Sequence, residues 1–452
     1  MLEDTPIEPS DSASLQPPVA QRSLKHRALS GSVWTLISHG GSQVLRLGGN
    51  LILTRLLFPE AFGLMALVQT FLTGLEMFSD VGINPSIVQS KRGDDPAFLN
   101  TAWTIQAGRG LMLWLCSCAI AYPAAQFYNE PMLAQLLPVS GLSALIAGFN
   151  STKLATAHRH LKLRELTILE FSTYVIGLII MIIGSFLFKS VWALVVGALV
   201  SGLARLVAGH YFLKGPRNRF YWDQEAYRAL QRFGQWIFVS TVLGFFAAQG
   251  DRLVLGRLMS VEFLGIYTVA LGFSGVAVQV IDQISNRVLF PSYSELVRDR
   301  PEQLYKTLRK ARIVLIGTSA ACTTFFVLFG EFIIDLLYDD RYVQAGKILQ
   351  ILAIGSMARS LSTTYGDVLM AKGKSYLLPI LLVLGVTIQF SSMYFGARLG
   401  NSNGIIIGIA ASYWIMYLFD VVCYSMLRLW QPEVDLPVAG LAVGLSAIVY
   451  FS

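Results

Sequence analysis

Apolar residues run along this chain in blocks of about twenty, separated by short polar breaks, from residue 33 almost to its end. Twenty residues of helix rise roughly 30 Å, the thickness of a bilayer's hydrocarbon core. Inside lipid the backbone must satisfy its own hydrogen bonds, so blocks of this length predict helices. The windows near 33–54, 62–88, 100–126, 133–156, 166–188, 191–213, 235–258, 263–290, 312–330, 342–370, 376–397 and 403–427 give twelve spans. A thirteenth run, Leu436 to Phe451, is short for a crossing. It reads as a partial or surface helix, or as the sign of a truncated chain.

The polar breaks supply orientation. Residues 1–21 are rich in Ser, Pro and acids and lack the apolar core of a signal peptide, so 1–30 is expected as a disordered cytoplasmic tail, with the first span its own uncleaved signal. Alternate connections carry roughly 21 basic residues, among them Lys91, Arg92, Arg159, Lys162, Arg217, Arg219, Arg309, Lys372 and Arg428, against about 6 on the other side. Basic loops stay in the cytoplasm, which puts the amino terminus inside. The longest internal break, 214–233, can form an amphipathic interface helix capped by Asp223, with Tyr227, Leu230 and Phe233 on one face. It divides the chain into six-helix lobes over 31–213 and 234–428, leaving a short or truncated helix over 429–452.

An internal repeat supports that division. Shifted by 202 residues, Arg55, Glu60 and Gly63 fall on Arg257, Glu262 and Gly265, while Asp80 and Asn84 fall on Asp282 and Asn286 without a gap. Each unit holds an even number of spans, so the copies share one orientation, related by an axis along the membrane normal. Two parallel six-helix bundles meeting at a cleft suit an alternating-access carrier.

Composition narrows the chemistry. The chain has 54% hydrophobic and 14% charged residues with a mean hydropathy of +0.56, far from a soluble domain. Its net charge of +7 lies in scattered loops rather than on one basic domain, which argues against nucleic acid. Cys116, Cys118, Cys322 and Cys423 sit in apolar runs with no His or carboxylate at ligand spacing, so no metal and no disulfide framework is expected. The five histidines are scattered, no phosphate loop with its Lys-Ser/Thr appears, and no large outer domain exists to hold an acceptor. Neither an enzyme nor a cofactor is expected.

A charge at mid-bilayer costs about 2.5–3.5 kcal/mol on insertion scales, so intramembrane charges normally face a cavity or a partner. The first span carries Ser38, Ser42, Arg46, Gly49 and Asn50 at helical spacing; the second carries Gln69, Thr73, Glu76, Asp80 and Asn84. Arg109, Lys153 and Arg205 follow in the first half, and Asp251, Arg252, Gln279, Asp282, Arg287, Arg359, Asp367 and Asp420 in the second. Arg46, Arg109, Lys153, Arg205, Arg252 and Arg287 are candidate cations for an anionic substrate, phosphate above all. Snorkelling or ion pairing, as between Glu76 and Arg109, is the purely structural alternative, strongest for Lys153, Arg205 and Arg287 near span ends. Glu76, Asp80, Asp251 and Asp282 are candidate coupling or gating acids. Recurrence of Asp80 and Asp282 in both halves also suits a turn-holding role, and Arg252 can neutralise Asp251.

At these residues the chain resembles the polysaccharide and lipopolysaccharide flippases, the lipid-linked oligosaccharide branch of the multidrug/oligosaccharidyl-lipid/polysaccharide exporter superfamily. Leu53-Thr54-Arg55-Leu56-Leu57-Phe58-Pro59-Glu60-Ala61-Phe62-Gly63 is similar to that family's opening hairpin, and Ser79-Asp80-Val81-Gly82-Ile83-Asn84 with Ile87-Val88-Gln89 to the stretch after it. Gly250-Asp251-Arg252-Leu253 to Arg257, Val288-Leu289-Phe290-Pro291-Ser292-Tyr293-Ser294 and Leu369-Met370-Ala371-Lys372-Gly373-Lys374 resemble its later landmarks, so the likeness covers nearly 25–430. Many such proteins have fourteen spans; this chain stops in the thirteenth. The resemblance implies an all-α fold of two six-helix lobes in a V around a basic cleft, in the bacterial inner membrane. It implies that a polyprenyl-pyrophosphate-linked oligosaccharide is turned from the cytoplasmic to the periplasmic leaflet for O-antigen, exopolysaccharide or capsule synthesis, with Arg46 and Arg109 facing the pyrophosphate. Membrane lipids, a polysaccharide polymerase and a chain-length regulator are the partners it implies. A multidrug or peptidoglycan-precursor exporter of the same architecture is the alternative, for which an aromatic cavity with one coupling carboxylate is expected. A non-transporting scaffold for glycan assembly is a further one.

Overall fold

The computed structural model describes residues 41–80, 82–234 and 238–451. The tail expected over 1–30, Ser38 and the side chains of Phe233, Asn286 and Arg287 lie outside the described residues. The first half comprises α1 (41–56), α2 (Pro59–Phe78), α3 (Ile83–Gln89), α4 (Pro96–Tyr128), α5 (Leu133–Gly148), α6 (Lys153–Arg159), α7 (Leu163–Phe188) and α8 (Trp192–Tyr211). A linker helix, α9 (Gln224–Gly234), leads to the second half. There the chain forms α10 (Phe238–Leu258), α11 (Val261–Ser274), α12 (Val276–Ile284), a π turn (Ser285–Leu289), α13 (Phe290–Asp299), α14 (Leu304–Leu337), α15 (Gln344–Ala371), α16 (Leu377–Met426) and α17 (Pro432–Phe451).

Local chemistry sets the boundaries. Pro59 opens α2, where no N–H is needed, and Glu60 in the first turn favours the helix's positive end. Asp95 caps α4 by accepting from Ala97 N at 3.0 Å, and Ser260 caps α11 by accepting from Phe263 N at 3.1 Å. Between α2 and α3 the chain reverses through Gly82, whose φ of 64° is left-handed. Helix α16 is continuous in hydrogen bonding, yet a methyl on Gly396 would overlap the carbonyl of Gly404. In a straight helix residues eight apart lie about 12 Å apart, so α16 doubles back near residue 401 into two crossings.

Among the described residues eight helices are long and apolar enough to cross a membrane, and two bent pairs raise that to ten: α5 with α6, bent by 59°, and α11 with α12, bent by 46°. The other expected spans are α1, α10 and α15. Helix α15 falls short on composition because it carries charge, Arg359 and Asp367 among it, and α10 holds Asp251 and Arg252 within its apolar run. Their surroundings explain this: α15 packs against α11, α14, α16 and α17, so protein rather than lipid covers most of it. Helix α17 starts four residues before the apolar run read from the sequence and is long enough for a span.

Within the first half α4 packs on α5, α7 on α8, and α5 on α8; within the second α14 packs on α15 and α15 on α16. The halves meet mainly where α2 lies against α10 and α11. Helices α2 and α11 begin at Pro59 and Val261, which are repeat-equivalent. A methyl on Gly63 would overlap the Val261 carbonyl oxygen, and one on Gly265 would overlap the Pro59 carbonyl oxygen. The contact is reciprocal, so the repeat's local two-fold axis passes through it. This end of the bundle, holding the α1–α2 and α10–α11 turns, is the turn face; the end holding α9 is the linker face.

A second buried feature ties α17 down. Arg312 of α14 is fully buried and its guanidinium donates to Asp435 Oδ1 of α17 at 2.6 Å. The same group lies 3.6 Å from the ring centre of Tyr365 and donates to Thr364 Oγ1 at 2.9 Å. Asp435 Oδ2 also accepts from Tyr417 at 2.7 Å and Tyr365 at 3.0 Å. Both charged groups are thus fully hydrogen-bonded, the condition under which a buried charge is tolerated.

Candidate functional site

Between the halves lies a cavity of about 670 Å³, bounded by α1, α2, α7, α10, α11, α12, α15 and α16. The polar stripe of α1 enters it through Arg46, Gly49 and Asn50, joined by Gln43, and that of α2 through Gln69. Of the candidate residues, Arg46, Asp251, Arg252 and Asp282 are brought together here, joined by Arg359 and Gln279. Arg46 donates to Gln43 Oε1 at 2.8 Å and reaches Gln279 across the halves at 3.5 Å. Arg252 donates to Gln249, while its Nε is buried with no partner among the described residues. Arg359 lies against the Tyr413 ring, 5.9 Å from its centre. Among the described residues none of these three guanidinium groups forms an ion pair within 4 Å; the pairs present involve other residues. Asp251 is buried and accepts from Tyr267, with its other oxygen unpartnered among the described residues.

The turn face closes above this cavity. Besides the glycine contact, Arg341 from the α14–α15 turn donates to the Thr54 carbonyl at 3.2 Å and lies over the Phe58 ring at 4.9 Å. Asp339 holds the Arg341 guanidinium in place. Phe62 and Tyr342 meet edge to face at 6.5 Å. These joints are made to backbone carbonyls and ring faces, contacts that can be exchanged without stranding a buried charge.

Arg109 lies elsewhere. With Glu76, Asp80, Asn84, Gln106, His158 and Arg205 it lines a second cavity of about 980 Å³, within the first half toward the linker face. Arg109 Nε donates to Ser79 Oγ at 2.9 Å and a terminal nitrogen to the Glu76 carbonyl at 2.6 Å, so it binds the last turn of α2, not the Glu76 carboxylate. A cation there meets the negative end of the helix. Asp80 Oδ1 accepts from Gly82 N at 2.9 Å and holds the α2–α3 turn. Arg205 is paired with Glu170 at 3.1 Å. Lys153 is buried, donates to the His210 carbonyl at 2.7 Å and lines neither cavity. The Arg287 side chain is outside the described residues.

The linker docks beside this second cavity. Ala226 and Leu230 of α9 are buried against Ile83, Ile87, Phe98, Leu99 and Ala155. Asp223 accepts from Glu225 N at 2.9 Å, capping α9, and from Arg92 at 2.6 Å, while Arg92 also holds Asp95 at 2.7 Å. Hydrogen bonds from Arg92 keep both carboxyls below their ordinary range. The signals that sequence reading lacked were spatial: nothing in the chain's order separates Arg46 from Arg109, or joins Arg359 to Arg46.

Comparison with known proteins agrees with this architecture. The chain is 21% identical over 387 residues to the lipopolysaccharide biosynthesis protein WzxC of Escherichia coli (strain K12), covering 85% of this chain and 78% of that one. It is 23% identical to the succinoglycan biosynthesis transport protein ExoT of Rhizobium meliloti (strain 1021), covering 71% and 64%. Its fold superposes on the lipid II flippase MurJ in an inward closed conformation with a TM-score of 0.69, at 13% identity, covering 94% and 92%. An inward-facing multidrug resistance MATE family transporter gives 0.65 at 14% identity, covering 88% and 95%. The fold is thus the two-lobe V of this exporter superfamily. Residues 52–347 match the family described as polysaccharide biosynthesis protein. That match spans well over half of the 452 residues, and the chain is a multi-pass membrane member of the polysaccharide biosynthesis protein family.

Proposed function

We propose that this protein is a transporter rather than an enzyme, a flippase that carries a polyprenyl-pyrophosphate-linked oligosaccharide across the bacterial inner membrane by alternating access. The observation that carries the reading is the cavity between the halves, where Arg46, Arg252 and Arg359 converge and, among the described residues, none of them is ion-paired to a carboxylate. Three guanidinium groups kept at membrane depth are costly unless an anion visits. A pyrophosphate offers oxygen pairs that match the guanidinium fork. The turn-face joints made by Gly63, Gly265 and Arg341 support a state closed on that side. The basic loops support a cytoplasmic linker face and a cytoplasmic amino terminus. On this reading the substrate loads from the cytoplasm and leaves when the turn face parts.

Purified protein in liposomes, given a labelled polyprenyl-pyrophosphate oligosaccharide, tests this. Transfer between leaflets is expected in the wild type and to fall at least about tenfold in Arg46→Ala and Arg359→Ala, each loss of a charge-assisted contact being worth roughly 1.5–3 kcal/mol. Wild-type transfer by both variants, or none by the parent protein, overturns the proposal.

A further inference from the structure

The cavity within the first half, about 980 Å³ against 670 Å³ for the central one, lies at the upper end of the range of about 300–1,000 Å³ for small-molecule sites. With His158 neutral its charges balance: Glu76 and Asp80 stand against Arg109 and Arg205, whereas the central cavity sets three guanidinium groups against Asp251 and Asp282. Three of the four are also engaged. Arg109 grips the end of α2, Asp80 holds the α2–α3 turn, and Arg205 is paired with Glu170. What remains for a ligand is the Glu76 carboxylate and the amides of Asn84, Gln89 and Asn150. Among the described residues Glu76 forms no ion pair within 4 Å, and Asn150 Oδ1 is buried with no hydrogen-bond partner. An amide both donates and accepts, as a sugar hydroxyl does, and a buried amide oxygen is costly to leave unpaired. This lining suits a neutral, hydroxyl-rich ligand; a phosphate would meet guanidinium groups already occupied.

Two helices connect the cavities. Helix α2 lends Gln69 to the central cavity and Glu76 to the first-half one, and α10 lends Ala248 and Thr241 in the same way. The members of each pair are seven residues apart, two turns along one helix face and roughly 10 Å along the axis. Both steps run toward the linker face, because α2 starts at the turn face and α10 ends there. Behind them α4 and α5 cross so closely that a methyl on Gly110 would come within 2.8 Å of the Gly148 Cα. With Ala144 and Ala147 beside this crossing, the wall is backbone and methyl, a smooth surface for the C–H face of a sugar ring.

Resting on the transport reading for the place of the pyrophosphate, we propose that the first-half cavity is a carbohydrate site, which holds the sugars nearest the pyrophosphate while the substrate is loaded. The turn face is closed by Gly63, Gly265 and Arg341, so a glycan leaving the central cavity extends along α2 and α10 toward the linker face. There it meets Glu76, Asn84, Gln89 and Asn150. The two oxygens of Glu76 can accept from neighbouring hydroxyls of one ring, and the amides can serve either role. The site distinguishes a lipid that carries its glycan from bare polyprenyl pyrophosphate, which fills only the central cavity.

The test is binding of two radiolabelled probes to the immobilised full-length protein in detergent: the host's own polyprenyl-pyrophosphate oligosaccharide and bare polyprenyl pyrophosphate. The wild type is expected to bind the first at least about tenfold more tightly than the second. Asn150→Leu, which keeps the side-chain volume, is expected to weaken the first roughly three- to tenfold and to bind the second as the parent does, which shows that it is folded. The double variant Asn84→Ala with Gln89→Ala, at exposed positions of α3, is expected to behave likewise. Arg46→Ala is expected to weaken both lipids alike. Equal affinity of the parent for the two lipids, or an unchanged ratio of affinities in Asn150→Leu and in the α3 double variant, overturns the carbohydrate site and leaves the transport reading standing. Binding of neither lipid by the parent overturns both.

Discussion

A single buried pair shows how much one residue decides in this protein. Arg312 and Asp435 are both withdrawn from solvent, so each is tolerable only because the other is present. Arg312→Ala or Asp435→Asn is therefore expected to destabilise the second half by about 3–5 kcal/mol. Replacing both, as Arg312→Met with Asp435→Leu, is expected to recover most of that loss; melting of the four proteins in detergent checks it. None of this was legible in the chain. Arg312 opens an apolar window and reads as a flanking cation, while its partner lies 123 residues away in a run read as a partial helix. The polar stripes of α1 and α2 were legible, because helical spacing alone puts Arg46, Asn50 and Gln69 on inward faces. Spacing cannot say which cavity a face looks into, so Arg46 and Arg109 read alike although one lies between the halves and the other grips the end of α2.

At the scale of elements, the repeat was readable and its physical reason was not. Glycine at 63 and 265 looked like one more match in an alignment of halves, whereas the structure makes each the seat of the other half's carbonyl. Gly63→Val and Gly265→Val are expected to hold the α2–α11 contact apart and increase the spacing between spin labels placed on the α1–α2 and α14–α15 turns. Pulsed electron resonance measures that distance. The linker behaves differently. Its dock depends on carboxylates whose folded affinity for protons is depressed by Arg92, so the stabilisation is present above their ordinary range and disappears as pH falls through the lowered values. Hydrogen exchange in α9, corrected for intrinsic rates, is expected to be constant from pH 8 to pH 5 and to rise only below about pH 4. Arg92→Ala is expected to raise it at neutral pH. Asp223 as a cap was foreseeable from its place before an amphipathic run; its grip on Arg92 was not.

For the whole molecule, the apolar blocks predicted twelve crossings, and of the charged ones α15 is enclosed by α11, α14, α16 and α17 in the second half while α10 lies between α2 and α16. The cavity between halves and the cavity within the first half could not be told apart from a list of charges, since both are made by helices distant in the chain. The reciprocal glycine contact constrains the molecule's two copies jointly. A half-length chain that paired with its own duplicate would have met itself at this point twice over, hydrogen side chain to carbonyl, across a true symmetry axis. Once fused, neither copy can enlarge its residue without striking the other's backbone, so drift that is free to separate the two halves elsewhere is checked here on both sides at once.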